Sequence, residues 1–234
     1  MILFKLIEKI VVIVMINIYC MKLLAIFDFD GTIFNSVDDV FICFNKALRH
    51  HNFPTLTKDE FYKVLGGNID EMVSLILKDQ NTPENMELIK DTYGRLYNES
   101  SKENSLPFPN IHDVLRQLQD KGMFIAINSN RKNDSINYFV DKYFNDIDFA
   151  AIEGHNPAYP SKPSPCGVEI IMEKLNVSKK DAIYIGDSST DVRTAQNAEI
   201  DCIIVKWGYG NQDVWKNDYI IGTVESPCEI LNYF

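Results

Sequence analysis

The chain has 234 residues, enough for one large domain or for a core with a smaller inserted module. Hydrophobic residues make up 46% of it, which calls for a packed core and excludes an intrinsically disordered chain. A formal net charge of −10 argues against a nucleic-acid partner, which needs a basic footprint, while leaving room for a local site that holds a small anion.

The first twenty residues, MILFKLIEKIVVIVMINIYC, are apolar, with Lys5 and Lys9 near the start. Their uninterrupted run from Ile10 to Ile16 is too short for a bilayer, which takes about twenty apolar residues. No small-residue cleavage pattern follows it. Met21 stands directly before KLLAIFDFDGT, so residues 1–20 read as lying upstream of the true start, with a membrane-surface anchor as the competing reading. Without such an anchor, no membrane partner and a cytoplasmic location are expected. The five cysteines (Cys20, Cys43, Cys166, Cys202, Cys228) show no CxxC or zinc spacing and read as reduced thiols, and the four histidines form no ligand pattern. The sequence leaves the oligomeric state open.

The first predicted strand is Leu23–Phe27, and it runs straight into Asp28, Phe29, Asp30, Gly31 and Thr32. Helical patterns follow from Ser36 to Leu106, separated by the turn signals NFPT, GGN and NTP. The stretch SSKENSLPFPN returns the chain to an alternation of strands and helices. A helix is expected over IHDVLRQLQDKG, ending at Gly122, and strands at Met123–Ile127 and Phe149–Ile152. Ser164 is the expected cap of the next helix, with strands at Ala182–Ile185 and Cys202–Val205 after it. The strands lack polar alternation and read as buried on both faces. The fold class is therefore α/β, a Rossmann-like parallel sheet sandwiched by helices. Its core is formed by residues 21–35 and 107–234, with an inserted helical module over residues 36–106.

In such a sheet ligands sit beyond the carboxyl ends of the strands. Those ends carry Asp28 and Asp30, then Asn128, Ser129 and Asn130, then Asp187 and Asp191, and Lys162 precedes a helix in SKPSP. Acids gathered at one rim need a cation, and a hard divalent ion with oxygen ligands, Mg²⁺ above all, suits them. In DFD the strand period turns both aspartates to one face, where one can act as nucleophile and the other as acid and base. Gly31 lets the backbone bend tightly and approach an anion. Ser129 can donate to a phosphoryl oxygen, and Lys162 can supply positive charge to a phosphoryl group in transfer.

DFDGT, the hydroxyl residue after the second strand, the KP lysine and GDSSTD resemble, in order and spacing, the four motifs of the haloacid dehalogenase superfamily. The resemblance spans residues 22 to about 210. PFPNIHDVLRQLQDKG looks like that family's return from a helical cap, and VKWGYG is similar to its phosphoglycolate phosphatase-like branch. Asn110 stands where that branch commonly has glycine. The resemblance implies that Asp28 attacks phosphorus and that Asp30 protonates the leaving oxygen and then activates water. It implies that Asp28, the Asp30 carbonyl and Asp187 hold Mg²⁺, with Asp191 orienting a metal-bound water or Lys162. Ser129 and Lys162 bind the phosphoryl group, Lys162 also restrains Asp28, and Gly31, Thr32 and Asn130 line the same pocket. The cap loop Gly66, Gly67 and Asn68 touches substrate or is a plain interhelical turn. Lys46, Arg49 and Lys63 read as a solvated helix face, with a second substrate anion as the alternative. Ser129 could instead cap a helix, and Asp191 could be a first-turn acid.

The implied activity is Mg²⁺-dependent hydrolysis of a small phosphorylated metabolite, of which phosphoglycolate is one. A pyrophosphatase or a phosphosugar mutase on the same scaffold is the alternative, the mutase disfavoured because NSVDDVF contains no histidine. A non-catalytic binding protein of the same fold is the alternative from another class.

Overall fold

The structure, a computed structural model, describes residues 22–234. The readings made for residues 1–20 and for a start at Met21 lie outside the described residues. Among the described residues no helix is long and apolar enough to cross a membrane.

Among the described residues six strands form one wholly parallel sheet: β1 (Leu24–Phe27), β4 (Phe124–Lys132), β5 (Phe149–His155), β6 (Ala182–Gly186), β7 (Asp201–Val205) and β8 (Gly222–Val224). Their order is β5-β4-β1-β6-β7-β8. Central β1 shows why no polar alternation is visible in the sequence. Leu24 and Ile26 pack against α7 (Cys166–Leu175) and α8 (Ser189–Ala198) on one face. Ala25 and Phe27 pack against α5 (Ile111–Asp120) and α6 (Asn133–Tyr143) on the other. With both faces covered, every position must be apolar. Leu24 pairs in register with Phe124 of β4 and Ala182 of β6, so the carboxyl ends of β1, β4 and β6 lie side by side.

Three departures from the sequence reading matter. β4 runs on to Lys132 instead of ending at Ile127, with a register slip against β5 between Asn128 and Lys132. Asn128 to Arg131 are thereby held in extended backbone along the rim. Two residues of β2 (Phe34–Asn35) pair antiparallel with two of β3 (Leu106–Pro107), where the chain leaves the sheet and where it returns. Pairs that short carry no periodicity to read. Pro165, not Ser164, holds the cap position of α7, and the Ser164 hydroxyl accepts the Cys166 N–H at 3.3 Å. Asn110, the expected glycine position, has φ 65°. That left-handed conformation is one asparagine tolerates, which explains both residues there.

Between β2 and β3 the chain forms α1 (Val37–His50), α2 (Lys58–Tyr62), α3 (Ile69–Leu77) and α4 (Pro83–Glu99). Thr57 and Asn68 start α2 and α3 with capping boxes closed by Glu60 and Glu71, and Thr82 with Pro83 starts α4. These helices bury a hydrophobic cluster of their own around Phe44, Phe61, Ile76 and Ile89.

Candidate active site

The centre of the site is a buried ammonium. Lys162 Nζ lies 2.8 Å from Asp28 Oδ1, 2.7 Å from Asp191 Oδ1 and 3.2 Å from the Tyr184 hydroxyl, one partner for each of its protons. Burial pulls its pKa down, but Asp191 and Asp28 outweigh burial and hold it protonated, well above its usual value. Asp28 lies just past β1, Tyr184 on β6 and Asp191 in the first turn of α8, so three elements of one sheet edge converge on the lysine. Asn130 secures the loop that brings it: its amide accepts the Lys162 N–H at 2.8 Å and donates to the Lys162 carbonyl at 3.2 Å. The expected pocket residue Asn130 thus has its side chain engaged with backbone.

Around the lysine stand three buried acids, and one carboxylate oxygen from each of Asp28, Asp187 and Asp191 falls within 4.8 Å of the others. Burial pushes Asp28 up to about 7 against the pull of Lys162. Burial, then Asp191 and Asp28, raise Asp187 well above the carboxylate range. Asp191 is different: burial opposes its charge, but Lys162 and the Ser188 donors hold it below the usual value. Its Oδ2 takes the N–H of Asp187 at 3.1 Å, the N–H of Ser188 at 3.0 Å and the Ser188 hydroxyl at 2.7 Å. Both Asp191 oxygens are therefore occupied by donors. Asp187 Oδ2 takes the N–H groups of Tyr209 and Gly210 at 2.6 and 3.1 Å. Asp187 Oδ1 and Asp28 Oδ2 accept no hydrogen bond among the described residues. Three close, buried acids with one ammonium, two of them with a spare oxygen, form a donor set suited to a hard divalent cation.

Gly31 has φ +84°, and a Cβ there would sit 2.5 Å from Asp187 Oδ2, so glycine is what lets that acid approach the DFDGT turn. Thr32 is wholly buried, its hydroxyl without a hydrogen-bond partner among the described residues, and its carbonyl accepts the Trp207 indole N–H at 3.0 Å. Ser129 is buried at the rim and its hydroxyl accepts the Arg131 N–H at 3.2 Å.

Gly66 of the helical insertion meets the first turn of α8, its carbonyl accepting the Thr190 hydroxyl at 2.5 Å. Gly66 and Gly67 line a cleft of about 890 Å³ with Lys63, Ser188, Arg193 and Tyr209. Asn68 uses its side-chain oxygen to cap α3.

The second acid of DFD takes partners that local sequence reasoning missed. Asp30 is held by Arg131, whose Nε and Nη2 each donate at 2.8 Å, and by the Ser36 hydroxyl at 2.5 Å. The strand ends at Phe27, so the period expected to keep Asp28 and Asp30 together no longer applies. One acid faces a lysine and the other an arginine. Tyr184 and Tyr209 were missed too. The only local signal for Arg131 was a charge following the polar end INSN of an apolar strand.

The model of the family described as "haloacid dehalogenase-like hydrolase" matches residues 25–205. The chain belongs to that family. The resemblance carried by the four motifs is borne out, and with it a hydrolase assignment. A phosphoglycolate phosphatase of Aquifex aeolicus is 27% identical over 206 residues, covering 88% of this chain and 93% of that protein. One of Yersinia pestis is 25% identical over 210 residues, covering 88% of each. The expected likeness to a phosphoglycolate phosphatase branch therefore holds at the level of relatives. Among solved structures, a haloacid dehalogenase-like family hydrolase from Streptococcus pneumoniae superposes with a TM-score of 0.82 at 19% identity, over 92% of this chain and 99% of that one. CbbY from Rhodobacter sphaeroides, solved with phosphate, gives 0.76 at 18% identity, over 90% and 96%. Both show the same fold, a parallel sheet flanked by helices.

Proposed function

We propose that this family member is a magnesium-dependent phosphomonoester hydrolase that works through an aspartyl-phosphate on Asp28. The observation that carries the reading is the buried Lys162–Asp28 pair at 2.8 Å, set at the sheet rim beside Asp187. The lysine fixes the attacking carboxylate and offers positive charge to the phosphoryl oxygens, and Ser129 adds a donor. In the first half, an Asp28 oxygen bonds to phosphorus and the ester P–O bond breaks. Its electron pair stays on the leaving oxygen, which takes a proton from Asp30. In the second half, water attacks phosphorus, Asp30 takes its proton and the Asp28–phosphorus bond breaks, releasing phosphate. Asp28, the Asp30 carbonyl and Asp187 would hold Mg²⁺, with Asp191 acting through Lys162. The ion would neutralise acid and phosphoryl charge.

Residues 36–106 act in this reading as a cap over the rim, touching it through Gly66, and select a small substrate such as phosphoglycolate. Support comes from the relatives of that name and from the phosphate complex in the fold neighbour. A panel of phosphate esters, with pyrophosphate and sugar phosphates included, tests it. Mg²⁺-dependent release of phosphate from a small monoester is the expected result. Binding of esters without release would favour the non-catalytic reading, and isomerised sugar phosphate the mutase.

The acid cluster also predicts a pH dependence. Folded Asp28 sits at about 7 against an ordinary 3.8. Between those values the unfolded chain releases a proton that the folded one keeps. Asp28's contribution to the stability of the metal-free protein therefore falls as pH rises from about 4 to 7, by about 1.4 kcal/mol per pKa unit, and the raised Asp187 acts in the same direction. A cation that binds the ionised acids offsets this. Thermal melts should show a larger gain from Mg²⁺ over chelator at pH 8 than at pH 5; equal gains would remove the acid cluster as the ion's site.

A further inference from the structure

Arg131 is used by no step above, yet it is the most fully engaged cation beside the site. Its side chain is only 9% exposed. Nε donates to Asp30 Oδ2 and Nη2 to Asp30 Oδ1, both at 2.8 Å, and Nη2 also reaches Ser36 Oγ at 3.1 Å. Nη1 donates to the Tyr97 hydroxyl at 2.9 Å and to Ser135 Oγ at 2.8 Å. Those five contacts match the five N–H groups a guanidinium has. Its Cζ lies 5.3 Å from the Tyr97 ring centre, 5.5 Å from Phe139 and 5.9 Å from Phe29. Enclosing a guanidinium this way is costly unless every donor is met, so the arrangement is not an incidental surface pair. A fork that takes both oxygens of one carboxylate fixes its plane as well as its place, which a lysine cannot do.

The partners come from different parts of the fold. Asp30 follows β1, Arg131 is on β4 and Ser135 on α6, whereas Ser36 opens α1 and Tyr97 lies in the last turns of α4. One buried group thus touches the second acid of DFD, the sheet and the helical insertion. We propose that Arg131 is the positioning residue for Asp30, and that Tyr97 links this positioning to the seating of the insertion. The inference rests on the reading of Asp30 as the proton donor to the leaving oxygen, the proton being carried on Oδ2, which accepts one donor while Oδ1 accepts two.

The test uses the chemistry of that proton. An alkyl leaving oxygen is strongly basic and needs the proton as its bond to phosphorus breaks, whereas p-nitrophenolate leaves readily without it. A misplaced donor therefore penalises alkyl esters selectively. In Arg131→Gln and Arg131→Lys, the ratio of kcat/KM for an alkyl phosphate to that for p-nitrophenyl phosphate should fall by about tenfold or more, a fraction of the 10²–10⁴ that a general acid contributes. Tyr97→Phe should shift it the same way by a smaller factor. Because it is a ratio, partial unfolding of a variant cancels from it, and a merely structural role would leave it unmoved. An active wild type whose ratio is unchanged in both Arg131 variants overturns the inference about Arg131. An unchanged ratio in Tyr97→Phe alone overturns the link to the insertion. A wild type that releases phosphate from neither ester overturns the phosphatase reading itself.

Discussion

Asp28→Asn should remove phosphate release almost entirely, by roughly 10⁴-fold or more, as expected when a covalent nucleophile is lost. The same substitution should leave the melting temperature undiminished, or raise it in metal-free protein above pH 7. Both halves follow from one geometry. Asp28 is one of three buried acids with oxygens within 4.8 Å of one another, and burial pushes its pKa to about 7. Above that pH its charge opposes folding unless a cation is bound. An asparagine amide keeps an oxygen toward Lys162 without the charge, and Lys162 retains Asp191 at 2.7 Å. Initial rates of phosphate release beside calorimetric melts at pH 8 with chelator would check it. A variant retaining a tenth of wild-type turnover would end the nucleophile assignment. Lost turnover together with a large fall in melting temperature would mean that Asp28 serves the fold as half of an ion pair.

Five strands of the sheet were legible because they depend on local pattern, whereas the three-residue edge strand β8 was not. Runs such as Leu24–Phe27 are apolar at every position because helices cover both faces, and helices such as Ile111–Asp120 carry their own stop in Gly122, at φ +76°. The motif-bearing ends were legible for the same reason, since Asp28, Ser129 and Asp187 each follow an apolar run. What stayed hidden was the pairing of groups far apart in the chain. Asp30 and Arg131 are 101 residues apart, and no local spacing says which acid an arginine will meet. Asn130 is polar and at the rim, as a pocket residue would be, yet it is tied to the backbone of Lys162. Asn68 looks like a loop residue near substrate and is a helix cap, which its Glu71 partner three residues on could have disclosed. The pairs β2 and β3 are two residues each and become strands only through one another.

Lys162→Met should damage activity and stability together, and the pattern of rescue should separate the two. Removing one partner of a buried, hydrogen-bonded ionic group leaves uncompensated charge, at a cost of about 3–5 kcal/mol. Here the lysine serves two acids, Asp28 and Asp191, with Asp187 close by and almost equally buried. Asp191 owes its depressed pKa first to this ammonium, so in the variant it should bind a proton in the folded state more readily than in the unfolded chain. The linkage then has a definite sign: the variant regains stability as pH falls from 8 toward 5, more steeply than metal-free wild type. Mg²⁺ at pH 8 should also restore part of the melting temperature by neutralising the same acids. Neither condition should restore turnover, because the charge offered to the transferring phosphoryl group is gone, a loss of about 10²–10³-fold. Melts over that pH range, with and without Mg²⁺, beside rates at each pH, contain the whole test. A variant that melts like wild type at pH 8 with chelator would show that the buried acids are not charged together. A variant whose turnover returns with Mg²⁺ would confine Lys162 to holding the fold.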